Sequence, residues 1–138
     1  MSARPETVAA LDSPTRPSPE EVAEARMVIV DLLGMRGSET LPVLTEAVTQ
    51  AYEVPAGRPL PGADGGEVDP DDPAVGHVRL ARAARVALDE LVDAGEVRGL
   101  PAEPGDEELA PDERDELAGV VDALTPAPEC GRFALREG

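Results

Sequence analysis

The chain has 138 residues and a formal net charge of −17, with 29 acidic side chains against 12 basic ones. That length makes one domain the default. The charge argues against a non-specific binder of nucleic acid or of acidic membranes, because affinity for phosphate comes largely from cationic side chains neutralising it, although an acidic chain can still offer one locally basic face. Hydrophobic residues make up 41% of the chain but aromatic ones only 1%, so the core must be built from Ala, Val and Leu.

Every basic residue is Arg, Lys and Asn are absent, and Ile, Phe and Tyr occur once each. This is the composition of a high-GC genome, such as that of an actinobacterium or its phage, so arginine usage by itself carries little functional information. The single Cys130 excludes an intramolecular disulfide and fits a reducing cytoplasm. Pro5, Pro14, Pro17 and Pro19 interrupt the first twenty residues, and no apolar secretory segment is visible there. The most apolar run, residues 27–33, contains Asp31 and is far too short to span a bilayer. A cytoplasmic location is therefore expected.

In chain order, residues 1–17 read as a mobile arm and residues 18–138 as the domain. The first helix has Ser18 as N-cap, Pro19 at its first position and Glu21 placed to complete a capping box. Val22, Ala25, Ile29, Leu32 and Leu33 recur at helical spacing, and Gly34 or Gly37 is the expected stop. A second helix begins near Thr40 with Pro42 in its first turn and Leu44, Ala47, Val48 and Ala51 as its apolar stripe; Tyr52 and Val54 close it. Residues 55–73 are dense in Pro, Gly and Asp and read as a long loop. The run 64–72 holds five acids and no base, yet it lacks EF-hand spacing and is interrupted by proline, so a solvated acidic loop is expected in preference to a calcium site.

The third helix starts around Asp72 or Pro73 and ends with Gly95 as the residue after its C-cap. Leu80, Ala84, Ala87, Leu88 and Leu91 share one face, while Arg79, Arg82, Arg85, Asp89 and Asp93 share the other, the side expected to face solvent or a partner. Arg85 is placed to pair with Asp89 at i,i+4, whereas Arg79 and Arg82 have no acid one turn onward. A strand follows at residues 96–100. Residues 101–130 then form an acidic insertion, with eight acids against Arg114 alone between residues 103 and 116, and with a fourth helix signalled by Pro111, Leu117, Val120, Val121 and Leu124. The final run GRFALREG alternates Phe133 and Leu135 with Arg132, Ala134 and Arg136, the period of a half-buried strand.

The order helix, helix, helix, strand, inserted helix, strand, carried by RLARAARVALDELVDAGEVRG and GRFALREG, resembles the winged helix-turn-helix family. The resemblance spans residues 18–137 apart from the 55–73 loop and the 101–130 insertion. It implies a mainly α fold with a small β-hairpin. It also implies a third helix that enters the major groove through its N-terminal half and a wing that touches the DNA backbone. Carried over residue by residue, it puts Arg79 and Arg82 at the DNA, with His77 beside them, and Arg98, Arg132 and Arg136 on the wing.

The expected function is therefore non-enzymatic: a winged-helix-type DNA-binding or transcription-regulatory accessory protein. The sequence contains no G-x-S-x-G, no phosphate-binding P-loop and no dinucleotide fingerprint. No cofactor or metal is expected, and a lone His77 at a helix start reads more simply as a hydrogen-bonded residue than as a ligand. The alternative takes the charge at face value: an acidic protein-protein interaction module, acting as adaptor, inhibitor or DNA mimic through the insertion. Expected partners are thus duplex DNA, or a protein met by the acidic insertion. A second copy joined through an apolar patch on the first or fourth helix is a further expected partner, and a membrane is not.

Overall fold

A computed structural model of the chain describes residues 14–51, 71–101, 124–125 and 131–136. Three helices, α1 (Pro19–Arg36), α2 (Leu41–Ala51) and α3 (Pro73–Asp93), pack on a small antiparallel sheet of β1 (Ser38–Glu39), β2 (Val97–Leu100) and β3 (Arg132–Leu135). The expected loop 55–73 falls outside the described residues except at its last three positions. So does the acidic insertion with its fourth helix, except at Pro101, Leu124 and Thr125.

The helix ends follow from local chemistry. The Ser18 hydroxyl accepts from the Glu21 amide and the Glu21 carboxylate accepts from the Ser18 amide, the reciprocal capping box read from the sequence. At the other end of α1, Gly37 takes φ of 89° and donates its amide to the Leu33 carbonyl. For α3, the Asp72 carbonyl accepts from the amides of Val75 and Gly76. Gly95, at φ of 81°, then donates to the Val92 carbonyl while Glu96 donates to that of Leu91. That pair of bonds is a Schellman closure, which needs a left-handed residue and therefore favours glycine. It turns the chain within three residues from α3 into β2.

The core joins Ala25, Ile29 and Leu33 of α1, Leu44 and Val48 of α2, and Leu80, Ala84, Ala87, Leu88 and Leu91 of α3 with Val97 and Phe133 of the sheet. The apolar stripes of α1 and α3 are those expected from helical spacing. In α2 the stripe is rotated slightly: Ala51 is exposed, and Thr49 is buried with its hydroxyl donating to the Glu46 carbonyl.

The sheet departs from a two-stranded wing. β3 lies in the middle, with β2 on one side and the two-residue β1 on the other. Val97 pairs with Leu135 and Arg98 with Ala134, while Ser38 pairs with Ala134 across the opposite edge. A strand of two residues is too short to produce any periodicity, which is why only the hairpin was legible. The central position also explains why Ala134 is buried along with Phe133, although simple alternation placed it outside.

Candidate functional site

The arginines of α3 are not on an open face. Arg79 donates from Nε to Glu21 Oε2 at 2.7 Å, joining α3 to the capping box of α1. Glu21 thus serves two elements, with one oxygen on the Ser18 amide and the other on the guanidinium. Burial by itself would raise the Glu21 pKa, but the Ser18 amide and the Arg79 guanidinium outweigh it and hold the carboxyl below its usual range. A carboxylate with a lowered folded pKa stabilises the fold at neutral pH. It loses that contribution as pH falls through the ordinary value near 4.5 and on through its own lower one. Glu21→Gln should therefore lower stability at pH 7 and flatten the acid limb of the stability profile, as read by urea denaturation at stepped pH; an unchanged limb would remove Glu21 from the acid response.

Arg82 lies deeper, with 8% of its surface exposed. Its Nε donates to Thr125 Oγ1 and its Nη1 to Thr15 Oγ1, each at 2.8 Å. Arg85, 9% exposed, donates from Nη1 to the Thr125 carbonyl at 3.1 Å, in place of the expected bond to Asp89, which is itself exposed. Arginine is rarely this buried without such partners. The Arg82 and Arg85 part of the face expected to meet solvent or DNA is therefore an internal contact between α3 and two segments far away in sequence, while Asp89 and Asp93 remain exposed. Thr15 is completely buried, so the arm drawn to residue 17 is packed against the domain at its last residues.

The wing arginines behave differently. By strand alternation and register, Arg98, Arg132 and Arg136 share the outer face of the sheet, opposite Phe133 and Val97. Arg98 and Arg136 are exposed, and among the described residues neither forms an ion pair. Arg132 reaches across to β1, donating from Nη1 to the Ser38 hydroxyl at 3.1 Å and to the Ser38 carbonyl at 3.4 Å. Beside this face, Val92, Gly95, Val97, Arg98 and Arg136 line a shallow open groove at the end of α3. A cation there complements the carbonyl end of the helix.

Of the five arginines singled out from sequence, three share the sheet face and two are engaged inside. His77 is half-buried in the first turns of α3. Among the described residues no group of three or more His, Cys, Asp or Glu is placed to hold a metal ion, and no helix is long and apolar enough to cross a membrane. The other conspicuous surface is on α1, where Met27 (72% exposed), Val30 (36%) and Met35 (73%) stand in solvent. The apolar run VIVDLLGM at residues 28–35 is richer than one buried stripe needs, and the exposed residues place on α1 an apolar surface of the kind expected on the first or fourth helix. No family model, curated protein or solved structure matches the chain.

Proposed function

We propose that this chain is a non-enzymatic regulatory accessory protein of winged-helix type that acts by contacting protein and does not read DNA bases with its third helix. The order helix, strand, helix, helix, strand, strand, with α3 turning directly into an antiparallel hairpin, supports the family reading. The observation that carries the choice of partner is the closure of the arginine face of α3: Arg79 on Glu21, and Arg82 on Thr15 and Thr125. A recognition helix must present its side chains to base edges in the major groove, and these side chains are committed within the chain. The net charge of −17 opposes approach to a polyanion.

One arrangement favours a second reading, in which the exposed sheet arginines Arg98 and Arg136, with Arg132, touch the phosphate backbone without reading sequence. Titration of a labelled duplex at low salt, followed by fluorescence anisotropy, separates the two. The protein reading expects no saturable binding. Saturable binding with a salt slope of about −3, as three neutralised phosphates require, and lost in the double variant Arg98→Glu, Arg136→Glu, would replace it with the second.

A further inference from the structure

We infer that the outer face of α1 is a self-association surface, and that its occupant is the α1 of a second copy of this chain, running parallel to the first. This inference is independent of whether the sheet touches protein or DNA.

The face opposite the buried Ala25, Ile29 and Leu33 carries Ala23, Met27, Val30 and Gly34, all exposed. Their spacings of four, three and four are those of a two-helix seam, in which alternate a and d positions face a partner. Its N-terminal end is the small Ala23, which lets two backbones approach, and its centre is Met27 and Val30, which supply apolar area; at the other end Gly34 abuts Leu135 of the same chain. Methionine adapts its shape to a partner at little cost. Met27 at 72% and Val30 at 36% exposed stand outside the core that the described helices and sheet form.

The flanking charges choose the occupant and its direction. Arg26 lies on one flank of the seam and Asp31 on the other, five residues apart, the offset at which opposite charges meet between parallel helices. A two-fold pair of α1 helices therefore forms this bridge twice with no other chain. In an antiparallel pair the flank bearing Glu24 and Asp31 would face its own acids, and like charges would meet. Arg26 also approaches Glu90 at 3.5 Å, but both side chains are about half exposed. Such a pair is worth little and is readily exchanged for a bridge across the dimer.

Sedimentation equilibrium over a wide concentration range is the direct test, with Met27→Glu, Val30→Glu as the comparison; both positions are exposed, and circular dichroism checks that the fold is retained. The mass should rise toward twice the monomer mass with concentration, the double variant should remain monomeric, and added salt should raise the dimer fraction by screening the repulsion between two copies of charge −17. In a Cys130→Ser background, Met27→Cys should form a disulfide-linked dimer under mild oxidation, because a parallel pair sets Met27 against Met27 of the partner. A wild-type chain that stays monomeric at every concentration overturns the inference. So does a cross-link that forms only between a Met27→Cys chain and a Val30→Cys chain, since that is the antiparallel arrangement.

Discussion

Phe133→Ala is expected to destabilise the domain by about 3 to 5 kcal/mol, the usual cost of removing a fully buried aromatic side chain. Phe133 is the only phenylalanine, is completely buried, and sits on the central strand facing the helices. About half of the core cluster that Phe133 belongs to is alanine and valine, among them Ala83, Ala84 and Ala87 on α3 with Val48 and Val97. A small side chain has no alternative rotamer that reaches into a cavity. Against the roughly 5 to 15 kcal/mol that holds a typical domain folded, a loss of that size leaves little reserve. Urea unfolding followed by circular dichroism should show a midpoint shifted far toward water, and a shift corresponding to less than about 1 kcal/mol would mean that the core closes around the deletion.

Arg82→Ala is the second large effect, and it bears on function as well as stability. The substitution removes the donor to both Thr15 and Thr125, at 2.8 Å each, in a buried setting. Hydrogen bonds to a charged group are worth about 1.5 to 3 kcal/mol each, and partners left buried without one carry a further cost. A total on the order of 3 kcal/mol is expected, with the loss concentrated where residues 14–17 meet α3. Hydrogen exchange should therefore accelerate at Thr15 and Arg16 well before it does in the α1 core around Ile29. If stability and exchange are both unchanged, Arg82 is not the tie that holds that segment. A conventional recognition-helix arginine gives the opposite pattern, with intact stability and lost DNA affinity, so the two measurements together discriminate a structural arginine from a DNA-reading one.

The elements themselves were largely legible from sequence because their signals are local. Ser18, Pro19 and Glu21 specify the start of α1 within four residues, and Gly95 specifies the end of α3 through a backbone conformation that other residues avoid. The core stripe of α3 follows from helical period alone. What sequence misjudged was the other side of that helix. Arg79 and Arg82 lack an acid one turn onward, which reads as freedom, but their partners Glu21, Thr15 and Thr125 stand 58, 67 and 43 residues away. No local periodicity encodes such pairings. The amphipathic pattern of α3 is real, yet its polar face is covered around Arg82 and Arg85 while Asp89 and Asp93 stay exposed, so polarity alone does not tell which part of the face other segments of the chain cover. For α1 the sequence names the helix on which an apolar patch is expected but not the residues that form it, because Met27, Val30 and Met35 lie in the same apolar run as the buried Ile29 and Leu33.

The position of β3 between β1 and β2 has a consequence for how the chain reaches its native state. Ser38 is paired with Ala134, so one side of the sheet spans most of the sequence, and the strand that completes both pairings is the last of the described elements to be synthesised. The helices can collapse on one another early, since their contacts are comparatively near in sequence. The sheet and the Phe133 side chain beneath it must wait. Contacts this distant pay their loop-closure entropy before they return any stability, so the rate-limiting event expected for this domain is the insertion of a single four-residue strand between two edges that are already present.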